Sequence, residues 1–411
     1  MTPPKRIVMT GATGFVGSQV VPILLEKGVE VLVVSRDPMR APKRFPNCRT
    51  IGYDALADEA RDTDVLVHMA TRNNDRGGDD ADFRAANVDL FRRVLDTACA
   101  AGIGLVVHLS SLHALDPADA SPYAKSKREA DALARATVDP RVVTLHLAAV
   151  YGRGPDGAHV YAGRLKTIER LPNALRPVAF ACLSALRPTL SADRLAEHLL
   201  MPPGEDAILS DGQRDNTVYA AITAILDVVV AAAIFILLFW LLLLIWAAVR
   251  LDSRGPGLFV QERVGRDGKH FSCWKFRTMR VGVQQAGTHE LSGSAVTRVG
   301  RILRPLKLDE LPQAWNLLNR SMSIVGPRPC LPVQRELVDA RDRRGVLDIR
   351  PGITGLSQVE DIDMSTPCRL ARRDADYVAL RSIPLDLKLM VRTVGGGGRG
   401  DRTDRMSDEP R

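Results

Sequence analysis

The sequence has no two cysteines at CxxC spacing: its six, Cys48, Cys99, Cys182, Cys273, Cys330 and Cys368, are scattered over 411 residues. That argues against a zinc site or a disulfide framework and fits a reducing compartment. Aromatic residues make up only 5% of the chain, and no nucleic-acid recognition motif is present. The first residues, MTPPKRIVMTGATG, lack the apolar stretch of a secretion signal, so everything before the first hydrophobic run is expected in the cytoplasm. What the chain does have is length for two cores, with 45% hydrophobic and 25% charged residues and a net charge of +8. The charge suits an anionic partner. Anionic lipid beside a membrane segment accounts for it, so no nucleic-acid partner is expected.

From Lys5 to about Val150, short β-branched runs (RIVMTG, VEVLVVSR, DVLVHMA, GLVVHLSS, VVTLHLAAV) alternate with helical stretches. Strands buried on both faces read this way, which predicts an α/β fold with a Rossmann-type, doubly wound parallel sheet. Residues 151–216 predict only an abbreviated cap, with a helix in SADRLAEHLL capped by Ser191 and a short strand in PPGEDAILSDGQRDN. Val228 to Val249 is an uncharged apolar run of about 22 residues, long enough to enter a bilayer. A small, basic, mixed α/β domain follows. The expected organisation is 1–216 nucleotide-binding, 217–250 membrane-inserted, 251–394 catalytic and 395–411 a disordered tail.

Gly11, Gly14 and Gly17 fall where the first strand ends and a helix begins. Glycines there allow a tight turn, approach of the backbone to a pyrophosphate, and close helix–sheet packing. Tyr123 precedes Lys127 by four residues, which puts both on one helix face, where the ammonium can lower the phenol's pKa for proton exchange. After the second strand comes Arg36 with no acid beside it, which favours the 2′-phosphate of NADP, although the nearby Asp37 and Asp54 keep NAD open. TGATGFVG, YAKSK, Ser110-Ser111, His68 to Ala70 and Asn87 together resemble the extended short-chain dehydrogenase/reductases, which are NAD-dependent epimerase/dehydratase-like. The resemblance implies Tyr123 as acid/base, Lys127 supporting it and holding the ribose, and Ser111 positioning a substrate. Gly11, Gly14, Gly17, Arg36 and Lys127 would then hold the cofactor. The short cap leaves two readings: a UDP-sugar 4-reductase or epimerase, or a non-catalytic nucleotide-binding module.

Asp309 and Glu310 are adjacent acids ahead of an apolar helical run, with Pro312 placed for its first turn. Such a pair invites Mg²⁺ alongside substrate phosphates. A carboxylate can also attack phosphorus, which splits one hard displacement into two. The blocks LDSRGPGLFVQERVGRDGKHFSCWKFRTMR, TRVGRILRPLKLDELPQAWNLLNRSMSIVGPRP and RPGITGLSQV resemble the bacterial sugar transferases, the monotopic phosphoglycosyl transferases, from about Asp227 to Val394. The resemblance implies that Asp309 attacks a UDP-sugar, releases UMP, and passes the phosphosugar to polyprenyl (undecaprenyl) phosphate. Glu310, with Asp309, would hold Mg²⁺. Lys275, Arg304 and Arg328 would bind phosphate, with a structural ion pair as the alternative for Lys275 and Arg304. A homodimer is left open.

UDP-sugars and NAD(P)H are cytosolic, so both domains are expected to face the cytoplasm at the bacterial inner membrane. The hydrophobic segment must then enter and return. Members of the resembled family break this helix at a Ser-Pro pair, whereas here Phe239-Trp240-Leu241 runs on without Ser, Gly or Pro. Unbroken, the run would rise about 33 Å and could span. A bulge near Trp240, or interfacial anchoring of Trp240 and Trp246, would reconcile a re-entrant path with this sequence.

Overall fold

The computed structural model describes residues 4–39, 43–154, 158–281 and 295–396; the tail expected to be disordered falls outside this set from 397 on. The chain divides into two compact units, Met1–Arg214 and Asp215–Arg411.

Among the described residues the first unit contributes ten strands: β1 (Arg6–Thr10), β2 (Glu30–Val34), β3 (Arg49–Ile51), β4 (Val65–His68), β5 (Leu105–Ser111), β6 (Arg141–Leu147), β7 (Ala149–Arg153), β8 (His159–Tyr161), β9 (Thr189–Ser191) and β10 (Ala207–Leu209). Seven form one sheet in the order β10-β6-β5-β4-β1-β2-β3, paired in parallel throughout. The continuous apolar runs have a simple cause. Ile7, Met9, Val31, Val33 and Val67 pack on one face with Val20, Val21 and Leu24 of the helix Phe15–Glu26. Val8, Leu32, Val34 and Leu66 pack on the other with Phe91, Val94 and Leu95. Strand order reverses between β1 and β4, which opens a crevice at the carboxyl edge of the sheet. Residues 149–191 hold the small sheet β8-β7-β9 and the helix Arg176–Leu186. Ser191 caps the helix Ala192–Leu200 by accepting the Arg194 N–H at 3.3 Å.

The second unit begins with the hydrophobic segment, which forms two helices, Thr217–Leu237 and Phe239–Asp252. Leu238 leaves helical geometry between them, at φ −104° and ψ 12°. No Pro or Gly is there, so anchorage at both outer ends accounts for the break. Near the start, Tyr219 Oη donates to Asp386 at 2.6 Å, and Asp227 accepts from the Ile324 N–H at 2.8 Å and pairs with Arg350 at 3.2 Å. Near the end, Arg277 donates to the carbonyls of Val249 and Ser253, and Asp252 accepts the Val299 N–H at 2.9 Å. Between these anchors Ile236, Leu237, Phe239, Trp240 and Leu244 are 59–74% exposed. The rest comprises the antiparallel hairpin β11 (Leu258–Val264) and β12 (His270–Phe276), the parallel pair β13 (Ser323–Val325) and β14 (Gly352–Thr354), and helices Arg335–Asp342, Pro367–Leu380 and Ile383–Val394.

Candidate active sites

At the carboxyl edge of the large sheet, Gly11 adopts φ +75°, and a Cβ there would lie 2.5 Å from the Ala70 backbone. A Cβ on Gly17 would lie 2.2 Å from the Ala12 carbonyl oxygen. These are close approaches of helix and strand that only glycine permits. Gly14 precedes the helix Phe15–Glu26, which has no side-chain cap, so its first-turn amides face the crevice as an anion site would require. Arg36 stands exposed two residues beyond β2 and pulls against burial at the Tyr53 phenol, which burial pushes up.

Ser111 ends β5, and Tyr123 and Lys127 share the helix Pro122–Ala136, started by Pro122 and by the Ser121 cap on Ala124 N–H. Burial pushes the Tyr123 phenol up, and a hydrogen bond with Ser111 opposes it. Lys127 is buried and donates to the Leu109 carbonyl at 3.1 Å, and burial lowers its pKa to about 8. Asn87 ties the loop after β4 to this helix: its Oδ1 accepts the Arg72 N–H at 2.7 Å and its Nδ2 donates to Ser126 at 2.9 Å. The sequence reading missed His113. Its ring lies edge-on to Tyr123 with centroids 5.7 Å apart, and its Nδ1 is 2.8 Å from Asp119. Only its place two residues past Ser111 signalled it.

In the second unit, Asp309 and Glu310 lie in the 3-10 turn Leu308–Gln313, and the α-helix Ala314–Leu318 follows. The expected first turn of an α-helix is therefore a tighter turn, because Pro312 has no N–H to give the Leu308 carbonyl. Asp309 is 9% exposed. Burial, with Glu310 adding to it, raises its carboxyl to about 6, against the pull of Lys275 and Arg304. Glu310 Oε1 accepts from Lys275 Nζ at 2.7 Å and lies 3.9 Å from Arg328 Nη2. Lys275 comes from β12, Arg328 from the segment after β13, and Arg304 from the end of the helix Arg298–Leu303. Lys275 and Arg328 thus stand at Glu310, Lys275 and Arg304 act electrostatically on Asp309, and Lys275 does form an ion pair. Beside Glu310 lies a small cavity, with room for about one water, that has Arg263, Lys275, Arg328 and Gln358 among its walls. No group of three His, Cys, Asp or Glu side chains among the described residues is placed to hold a metal. Asp309 and Glu310 could give an ion two protein ligands at most.

Behind this cavity, Arg341 is fully buried. Its Nη1 donates to the Arg328 carbonyl at 2.8 Å, and its Nε and Nη2 donate to Asp374 Oδ2 at 2.9 and 2.7 Å. The other Asp374 oxygen accepts from Ser357 at 2.6 Å. Arg341→Ala should destabilise this unit by roughly 3–5 kcal/mol, because it strands a buried carboxylate. Thermal unfolding would read this as a lowered midpoint, and pairing Arg341→Met with Asp374→Leu should recover most of it. Arg341 sits in the charged run RELVDARDRR, which reads as a solvated face, so nothing in the sequence marked it. Arg263 and Gln358 lie within quoted motifs but had been given no role.

The model of the family described as Bacterial sugar transferase matches residues 218–397, and that of the NAD dependent epimerase/dehydratase family matches residues 7–201. A UDP-glucose:undecaprenyl-phosphate glucose-1-phosphate transferase of Caulobacter vibrioides is 41% identical over 179 residues, covering 41% of this chain and 67% of that protein. Exopolysaccharide production protein ExoY of Rhizobium meliloti is 37% identical over 40% of this chain and 81% of its own length. A UDP-glucose:undecaprenyl-phosphate glucose-1-phosphate transferase of Klebsiella pneumoniae is 39% identical over 42% of this chain, which spans only 39% of that protein. The solved structure of the Bordetella bronchiseptica enzyme WbmG in complex with NAD is 22% identical over 50% of this chain and 72% of that one, with a TM-score of 0.39. The chain belongs to the bacterial sugar transferase family, and residues 7–201, ahead of the part that matches that family, match the model of the NAD dependent epimerase/dehydratase family.

Proposed function

We propose that the transferase domain moves a sugar 1-phosphate from a UDP-sugar to polyprenyl phosphate, through a covalent intermediate on Asp309, and so starts a surface polysaccharide or glycoconjugate. The observation that carries this is Asp309 itself: a buried carboxyl, raised to about 6 and faced by Lys275 and Arg304. It is ionised at neutral pH yet poorly solvated, as suits a nucleophile. An Asp309 oxygen attacks the sugar-bearing phosphorus, and the bond to UMP breaks with the electron pair leaving on UMP. An oxygen of polyprenyl phosphate then attacks the same phosphorus, and the Asp309–phosphorus bond breaks to restore the carboxylate. Lys275, Arg304 and Arg328 offset the diphosphate charge. Two carboxylates and no third ligand suit Mg²⁺, which keeps waters and takes its other ligands from phosphates. Glu310 and Asp309 would hold it, and when bound it would supply further charge neutralisation.

The hydrophobic segment is read as a re-entrant insert in the bacterial inner membrane, with both domains in the cytoplasm. Two facts support this: its outer ends are tied to the same folded body, and the exposed apolar residues cluster at the Leu238 break. The first domain is read as binding NAD(P), with Arg36 favouring NADP, and as reducing or epimerising a UDP-sugar at C4 through Tyr123, Lys127 and Ser111. Fusion of consecutive enzymes would raise the local concentration of the shared intermediate.

The test is UMP release by the full chain in lipid nanodiscs, given polyprenyl phosphate, Mg²⁺ and a panel of UDP-sugars that includes UDP-glucose. At least one sugar should release UMP, and chelation of Mg²⁺ should stop it. Silence across the panel would overturn the transferase reading.

A further inference from the structure

Large apolar side chains usually stand singly on a protein surface. In the first unit four of them, Leu171, Leu175, Val178 and Leu186, crowd between positions 171 and 186, each 37–59% exposed. The helix Arg176–Leu186 explains the crowding. Steps of three, four and four carry Leu175, Val178, Cys182 and Leu186 along one side, and Leu175 already holds helical geometry at φ −92° and ψ −17°. Cys182 is exposed with them.

The other side of this helix is apolar too, with Phe180 and Leu183 packed on Tyr161, Leu165 and Ile168. A surface helix ordinarily turns a polar stripe to water. This one, RPVAFACLSAL, carries only Arg176 and Ser184 as polar side chains. Both are bonded to carbonyls of the same segment: Arg176 to those of Glu169 and Leu171 at 2.8 and 2.9 Å, Ser184 to that of Phe180. The outer stripe is thus apolar along its whole length.

Charge decides what suits it. No Asp or Glu occurs from 170 to 192, whereas Arg170, Arg176 and Arg187 do. Arg170 and Arg187 are exposed beyond the two ends of the helix. The acids that flank this stretch are engaged: Glu169 accepts the Tyr161 N–H at 3.2 Å, and Asp193 lies 3.9 Å from Arg153. A second copy of the same face would bring the same arginines and repel it. Anionic lipid complements it, since leucine and valine enter the acyl boundary while arginine meets phosphate. The first unit ends at Arg214 and the apolar helix starts at Thr217, so a bilayer holding that helix is present at high effective concentration.

We propose that the outer face of the helix Arg176–Leu186 is a membrane-surface contact, its apolar stripe entering an anionic bilayer with Arg170 and Arg187 at the lipid phosphates. This rests on the membrane reading above and adds a second, peripheral contact made by the first unit.

The experiment uses the full chain with Cys99→Ser and Cys368→Ser, a fluorophore on Cys182, and nanodiscs of brominated phosphatidylglycerol or brominated phosphatidylcholine. In phosphatidylglycerol the label should be quenched about twofold or more relative to unbrominated lipid, because an interfacial helix sits about 5–10 Å into the headgroup–acyl boundary. Most of that quenching should disappear in phosphatidylcholine, and also when Arg170→Gln and Arg187→Gln are combined. Val178→Asp, a change at an exposed position, should abolish it. A chain labelled at Leu238→Cys, with Cys182→Ser as well, reports the membrane segment separately. Quenching there with none at Cys182 overturns this surface alone, and quenching at neither overturns the membrane reading with it. A Cys182 label shielded from aqueous iodide but untouched by brominated lipid means that protein covers the stripe, which overturns the proposal. Quenching that is equal in both lipids and indifferent to the two arginines overturns the anionic partner.

Discussion

Asp309→Asn should abolish UMP release and, in the same protein, raise the temperature at which the transferase unit unfolds. The loss should be at least about a thousandfold, because the amide has no charge with which to attack phosphorus and no other group replaces the nucleophile. The gain in stability follows from the raised carboxyl, which goes from 3.8 to about 6 on folding. A group shifted upward contributes stability that is fully present below 3.8 and is lost as pH rises through about 6. At pH 7.5 the ionised Asp309 therefore destabilises the fold, by an amount on the order of 2–3 kcal/mol. Asparagine removes that burden without changing the shape. The variant's thermal midpoint should exceed that of the wild-type protein at pH 7.5, with the gap narrowing as pH is lowered toward 5. Wild-type UMP release should fall with the ionised fraction of Asp309 below about pH 6. A variant that still releases UMP near the wild-type rate would remove Asp309 as nucleophile. A midpoint unchanged at every pH would mean that burial costs Asp309 nothing.

Tyr123→Phe should cost the first domain roughly a hundred- to ten-thousandfold in NAD(P)H-linked turnover, the range a positioned proton donor supplies. UMP release by the same protein should stay within about twofold of wild type, because the two proposed chemistries use separate side-chain sets. The assay follows NAD(P)H absorbance with UDP-4-keto sugars as substrates. Turnover should also decline above about pH 8, where Lys127 loses its proton and with it the charge that favours the phenolate. Wild-type and Tyr123→Phe proteins that bind NADPH equally but never oxidise it would mark the domain as a nucleotide-binding module. If the variant turned over at the wild-type rate, proton exchange would belong to another group, and His113, edge-on to Tyr123, is the nearest candidate.

Much of this architecture was legible in the sequence, because its parts follow local rules. Apolar runs such as VEVLVV must be buried on both faces, and Ile7 and Val8 do pack into opposite cores. The glycine spacing implied close backbone contact, and Gly11 and Gly17 make it. The Asp309-Glu310 pair and the cations Lys275, Arg304 and Arg328 could be chosen because long motifs carried them, and they converge. What stayed hidden depends on groups distant in the chain. The break at Leu238 has no local signal; it follows from ties to Asp386, Arg350, Arg277 and Val299. Asp227 read as the polar border of an apolar run, yet it is a buried anchor within the helix. Arg341 and Asp374 are 33 positions apart and look like surface charges until folding pairs them.

Gly326, Gly352 and Gly355, three glycines behind the cavity beside Glu310, also limit how such a chain can diverge. A Cβ on Gly326 would lie 2.6 Å from the Arg350 carbonyl oxygen, and the obstacles at Gly352 and Gly355 are backbone atoms too. A clash with a side chain can be relieved by a second change elsewhere, but the main chain offers nothing to trim. No single-residue step away from this trio leaves the turn in place, and no partner substitution restores it. Change is thereby left to positions that carry side chains, such as Cys273 and Gln313 on the same cavity. Lineages built on this frame can diversify the side chains that line the cavity while the turn behind it stays fixed.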